Sequence, residues 1–347
     1  MPCFIFANST FNNIAKKTMP KTSASSLGDQ IKSKKLFGGL KSGWPSFALA
    51  LIAGTLVTLS LAPFDIWPLG ILSLALFAWL LNDLSQNQAA KCGFFYGLGM
   101  FGSGASWVYV SIHVYGYAPI PLAILLTALF SGGLALLSSI SAYCYVRWIR
   151  DHLGGRTLGF AAVIVLSEWL RSWLLTGFPW IYLGYGHIDT WLAGWGPVGG
   201  VWCISFIVAY TGAIIAHAVI QKKITSSHLI IGLSLWCGGA ILSQVNWVTT
   251  KNTQALVRIA MVQANISQHI KWSKDNYRKT LKQYSDSSGP LWANHDIVIW
   301  PEGAVPGYYH NAQVFLDDMA AQASENNATL ITGIPYFKAP TETSPAR

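Results

Sequence analysis

Residues 296–306 read Asp-Ile-Val-Ile-Trp-Pro-Glu-Gly-Ala-Val-Pro, and Glu302 is the side chain in that run best suited to chemistry. Ile297, Val298 and Ile299 are β-branched and apolar in succession, the pattern of a strand buried on both faces. Pro301 has no N–H to offer a sheet, so the strand should end there. Gly303 and Pro306 then shape a loop. Glu302 is thus expected at the carboxyl end of a strand, where open α/β sheets place ligands and reacting groups. A carboxylate on so rigid a support either serves as a general base or simply faces water.

The elements that must hold this strand follow from the flanking pattern. A strand is expected over 256–264 and a loop over 265–271. Ser273 is placed to cap a helix running to about residue 284. Ser287, Ser288, Gly289 and Pro290 break the chain, and the Glu302 strand follows. A helix is expected over 312–325 and a third strand over 328–334. This β-α-β-α-β order predicts an α/β domain over 249–337. Residues 338–347, including Lys338, lose apolar periodicity and read as a disordered end.

The preceding residues are of another kind. The chain is 52% hydrophobic and 11% charged, against about 25% charged in soluble domains. Seven apolar segments, 44–64, 66–81, 92–112, 118–146, 158–175, 192–220 and 228–248, predict a multi-pass helical membrane domain over 44–248. Residues 1–43 form a polar basic tail without the features of a signal peptide. The net charge of +9 lies almost wholly before Lys251, which argues against a nucleic-acid surface. Lys and Arg fall in the tail, in 82–91, in 147–157 and in 221–227, with none in 62–66, 113–117 or 176–191. That alternation predicts a cytoplasmic tail and delivers everything after residue 248 to the opposite side.

Glu168 and Arg171 are charges within an apolar segment, three residues apart on one helical face. They are expected to pair with each other; a role in transport or substrate binding is the alternative. The loop 176–191 carries Phe178, Trp180 and Tyr182, either as an interfacial aromatic belt or as a lipid-contacting loop beside an active site. His113 and His187 read as hydrogen-bonding residues rather than metal ligands. The five cysteines, at 3, 92, 144, 203 and 237, follow neither a metal nor a disulfide pattern. No metal or cofactor is expected.

Taken together, these residues resemble the bacterial apolipoprotein N-acyltransferases over about 44–337. The resemblance rests on Leu-Ala-Pro-Phe-Asp-Ile-Trp-Pro at 61–68 and Gly-Ala-Ser-Trp-Val-Tyr-Val-Ser at 104–111. It rests equally on Glu-Trp-Leu-Arg at 168–171, Thr-Gly-Phe-Pro-Trp at 176–180 and Val-Gln-Ala-Asn-Ile at 262–266. Lys271-Trp272, Trp300-Pro301-Glu302 and Thr332-Gly333-Ile334 complete it. It implies an inner-membrane enzyme with a periplasmic nitrilase-like α-β-β-α sandwich, in which a Glu, a Lys and a Cys act together. Glu302 matches the general base. Trp272 matches a tryptophan near the active-site entrance, either a lipid contact or a core aromatic. The acyl donor would be a membrane phospholipid and the acceptor the amino-terminal S-diacylglyceryl-cysteine of an apolipoprotein.

The match departs from the family at one point. The family's Lys and Cys lie beyond the Thr-Gly-Ile strand, whereas here only Lys338 and no Cys follow Glu302. The chain therefore reads as a carboxy-terminally truncated enzyme with an incomplete α/β domain, inactive by itself. A membrane-tethered nitrilase-type amidase and a non-enzymatic transporter or scaffold are the rival readings.

Overall fold

The structure, a computed structural model, describes residues 43–248 and 256–337. The basic tail before Gly43 and the 338–347 end lie outside the described residues. Internal contacts divide the chain into two units, with the boundary between Trp247 and Val248.

The first unit is helical. Its helices are α1 (Trp44–Leu59), α2 (Pro68–Leu81), α3 (Gln86–Gly104), the short α4 (Trp107–Val110), α5 (Ile120–Cys144), α6 (Phe160–Arg171), α7 (Gly196–Gln221) and α8 (Ser226–Leu242). Helices α1, α2, α5 and α7 carry a proline in the first turn, where its missing N–H has no intrahelical partner to lose. The helices meet through small residues. A Cβ at Gly99 would collide with the Leu51 carbonyl oxygen, and one at Gly54 with that of Tyr96. Backbone therefore packs on backbone at the α1–α3 seam, the mode that small residues permit between apolar helices.

Two helical runs, Ile120–Ile149 and Trp191–Gln221, are long and apolar enough to cross a membrane, and three shorter apolar helices accompany them. Only 17% of the most apolar window of the first run is buried. A core helix of a water-soluble protein would be covered all round, so this exposed apolar face suits lipid.

Several expected bounds shift. The third apolar segment breaks after Gly104 and passes through α4 into a π-turn at Ser111–Tyr115; Gly102, Ser103, Gly104 and Ser106 are poor helix formers. The fifth stops at Arg171 rather than 175, because Leu175 and Thr176 take left-handed backbone angles. The seventh ends at Leu242 rather than 248.

The second unit is α/β: β1 (Ile259–Met261), α9 (Gln268–Lys271), α10 (Lys274–Ser288), β2 (Ile297–Ile299), α11 (Tyr309–Glu325) and β3 (Thr329–Ile331). The strands are parallel in the order β1-β2-β3, with Ala260 opposite Val298 and Val298 opposite Leu330. Right-handed crossovers in a sheet that grows one way put both connecting helices on one face. Val298, Tyr284 from α10 and Met319 from α11 accordingly share one core. The expectation of two-faced burial for β2 is corrected: Val298 is buried, while Ile297 and Ile299 are only half-buried. The predicted break at 287–290 also moves, since α10 continues through Ser288 and tightens into a 3-10 turn at Gly289–Asn294.

Candidate functional site

Glu302 lies just past β2, on an exposed turn closed by the Ala304 N–H donating to the Pro301 carbonyl oxygen at 3.1 Å. Gly303 takes a φ of 67° there, the left-handed angle that the third position of a type II turn requires. The strand end behind it is fixed. The Trp300 N–H donates to the Ile331 carbonyl oxygen at 2.9 Å, and its indole Nε1 donates to Ser288 Oγ at 2.9 Å. The buried indole packs against Tyr284 and Phe315.

Segments following all three strands converge on this turn. A Cβ at Gly333, after β3, would lie 3.7 Å from the Glu302 Cα and 3.8 Å from its Cγ. A Cβ at Gly303 would lie 3.2 Å from Lys271 Nζ, which closes α9 after β1. Trp272 follows at once and is 54% exposed. The approach of Lys271 was not expected; it depends on the crossover from β1 rather than on any local pattern.

The amino end of the same sheet is closed instead. Arg258 donates from its backbone N–H to Asp296 Oδ2 at 2.7 Å and from Nη2 to Oδ1 at 3.0 Å. Those hydrogen bonds from the Arg258 side chain and backbone hold the Asp296 carboxyl below the usual carboxylate range.

In the helical unit the expected contact between Glu168 and Arg171 is corrected. Among the described residues the ion pairs within 4.0 Å are Arg150–Asp151, Arg156–Asp151 and Arg258–Asp296. Both buried charges serve the aromatic loop instead. The Leu183 N–H donates to Glu168 Oε1 at 2.8 Å, and Arg171 Nη2 donates to the Ile181 carbonyl oxygen at 3.1 Å. The Phe178 N–H donates to the Arg171 carbonyl oxygen at 2.8 Å. The Arg171 guanidinium also lies 4.9 Å from the ring centroids of Phe101 and Tyr182. A backbone that leaves its helix needs partners, and these two side chains supply them.

The three loop aromatics separate accordingly. Trp180 is exposed and lies 6.0 Å from Trp107, whereas Phe178 and Tyr182 are buried. Tyr182 therefore packs inward rather than facing lipid. His113 Nδ1 lies 2.8 Å from the Ala118 carbonyl oxygen, and His187 Nδ1 lies 3.2 Å from Thr190 Oγ1.

Comparison with known proteins falls on both units. Residues 53–214 match the family model described as the apolipoprotein N-acyltransferase N-terminal domain, and residues 258–345 match that of the carbon-nitrogen hydrolases. Over most of its length the chain is similar to apolipoprotein N-acyltransferases. A protein of that name from Pseudomonas aeruginosa (strain LESB58) is 42% identical over 301 residues, covering 85% of this chain and 58% of the relative. One from Pseudomonas syringae pv. tomato is 40% identical over 300 residues, covering 85% and 59%. Another from Coxiella burnetii is 39% identical over 293 residues, covering 83% and 60%. The chain thus spans about three fifths of the length of these relatives. Glu168, Arg171 and the aromatic loop fall within the first matched stretch, and Trp272 and Glu302 within the second.

Proposed function

We propose that this chain carries the membrane bundle and the general base of an enzyme that moves a fatty acyl group from a phospholipid to the amino-terminal S-diacylglyceryl-cysteine of an apolipoprotein. Glu302 is the base. It takes the proton of a nucleophilic thiol, and the thiolate attacks the acyl carbonyl carbon of the phospholipid. The ester bond breaks, Glu302 returns the proton to the departing glycerol oxygen, a lysophospholipid leaves, and the acyl group remains as a thioester. The acceptor amine then attacks the thioester and releases the thiol. Trp272 contacts lipid at the entrance. Phe178 and Tyr182 anchor the loop that presents Trp180 to lipid, and Glu168 and Arg171 hold that loop in place.

The observation that carries this reading is Glu302 on an exposed turn where the segments after three parallel strands converge. Two long apolar helices in the same chain and the names of the relatives support it. On this reading seven segments cross the inner membrane, with the tail in the cytoplasm and a nitrilase-like α-β-β-α domain in the periplasm. The alternation of basic loops supports that orientation.

The test is a chimera in which residues 44–337 replace the matching part of the Pseudomonas aeruginosa relative, in a strain depleted of its own enzyme. The chimera should restore triacylated lipoprotein amino termini, read by mass spectrometry. Glu302→Gln keeps the shape and removes the base. It should lower thioester formation about 10²–10⁴-fold while membrane insertion persists. Unchanged thioester formation in that variant removes Glu302 from the mechanism. A reporter active only outside the cytoplasm should be active when fused at residue 255 and silent at residue 152; the reverse overturns the orientation.

A further inference from the structure

A second concave site lies in the helical unit, lined by residues that have no part in the proposed reaction. Its cavity, about 350 Å³, is lined by Arg150, Asp151, His152, Arg156, His217 and His228 among others. Arg150 and Arg156 both pair with Asp151, at 3.0 and 3.2 Å. Two guanidiniums thus face one carboxylate, and the pocket keeps a surplus positive charge even with all three imidazoles neutral. His217 and His228 meet edge to face at 5.5 Å, and His217 Nδ1 is buried without a hydrogen-bond partner. His228 stands in the first turn of α8, whose Thr225 cap makes no side-chain hydrogen bond. The end of that helix therefore adds partial positive charge.

We propose that this pocket holds the phosphate of an anionic glycerophospholipid, whose acyl chains lie along the outside of the helices. The inference rests on the reading that these helices cross a bilayer. Arg150 Nη1 is spent on the Leu81 and Leu84 carbonyl oxygens at 3.1 and 2.7 Å, so Arg156 and the imidazoles supply the donors that, with the net positive charge, select a phosphate. A lipid rather than a soluble source follows from the surroundings. The two membrane-length helical runs end beside the pocket, at Ile149 and Gln221. Trp148, Leu153, Ile224 and Leu229, near it in sequence, are exposed apolar side chains. Loops 147–157 and 221–227 are two of the basic connections, cytoplasmic on the proposed topology, where anionic lipid is recognised by such clusters. The bound lipid is resident and distinct from the acyl donor.

The experiment is native mass spectrometry of the purified chain in zwitterionic detergent, with phosphatidylglycerol or phosphatidylcholine added. Phosphatidylglycerol should be retained in preference to phosphatidylcholine. Arg156→Gln should weaken its retention about fivefold, and the double variant His217→Gln/His228→Gln should weaken it in the same direction. Lys91→Gln, an exposed basic residue on α3, should leave it unchanged. Equal retention of the two lipids, or unchanged retention in the double variant, overturns the proposal, and the double variant decides alone if Arg156→Gln does not fold. Displacement of the lipid by excess inorganic phosphate also overturns it, because the ligand would then be a soluble anion. Alkaline extraction of membranes tests the bilayer reading separately: release of the chain breaks that reading, while retention of the chain without lipid preference breaks only this proposal.

Discussion

Glu168 and Glu302 are both glutamates beside a turn, and the two units use them in opposite ways. In the helical unit Glu168 is buried and accepts the Leu183 N–H. In the α/β unit Glu302 is exposed, with its backbone fixed by neighbours rather than by its own carboxylate. An apolar surrounding makes an unpaired polar group expensive, so charges placed there hold structure. An exposed turn at the carboxyl end of the central strand imposes no such demand and leaves its carboxylate available. Availability, rather than charge, separates the candidate catalytic residue from the structural one.

The sharpest way to break this contrast concerns the nucleophile. All five cysteines precede Val248, and among the described ones Cys92 is buried among apolar helices. None of the five lies in the unit that carries Glu302. Residues 1–347 expressed by themselves should therefore form no thioester with phospholipid and should not restore lipoprotein triacylation. An acyl-enzyme trapped on this chain would place a working nucleophile in the wrong unit and dissolve the distinction.

Next in size is the buried clamp. Arg171→Met leaves the Ile181 carbonyl oxygen unpaired and the Glu168 charge without its neighbour. Thermal unfolding in detergent should show a loss on the order of 3 kcal/mol, against a much smaller shift for Arg258→Met in the exposed pair. Equal shifts would show that burial does not set the worth of these charges. Ser288→Ala removes the acceptor of the buried Trp300 indole and should destabilise the α/β unit by about 1–2 kcal/mol. The smallest effect is that of pH on Asp296. Its carboxyl is held below an ordinary value of 3.8, so its contribution is full above that value and is lost as pH falls through the lower folded value. Acid titration of stability should show this step in the wild type and not in Asp296→Asn, with salt shrinking it.

Much of this architecture is legible in the sequence. The Ile-Val-Ile-Trp-Pro-Glu run marks its own strand and stop, because β-branching and the missing proline N–H act locally. The helices expected over 273–284 and 312–325 likewise form, the first running on to Ser288 and the second starting earlier, at Tyr309. What local pattern does not show is competition between partners. Spacing puts Glu168 and Arg171 within reach of each other, yet backbone groups at 181 and 183, brought in by a loop, take both side chains. Lys271 reaches Gly303 across 32 positions of sequence, and only the crossover brings them together. One-sided burial of β2 also escapes the pattern, since three apolar residues in a row look the same whether one face or two are covered. The π-turns at Ser111–Tyr115 and Tyr145–Ile149, which extend α4 and α5, have no signature in residue type.

The bond between the Trp300 indole and Ser288 has a metrological consequence. At about 3.3 Å per residue, two steps separate a pinned ring from the Glu302 backbone, too short a leash for the carboxylate to wander. Slippage of β2 by a single position would turn the indole to the opposite face and carry Glu302 off its mark together with it. The tryptophan is thus a benchmark in the surveyor's sense, a fixed point from which the reach of the glutamate is laid out.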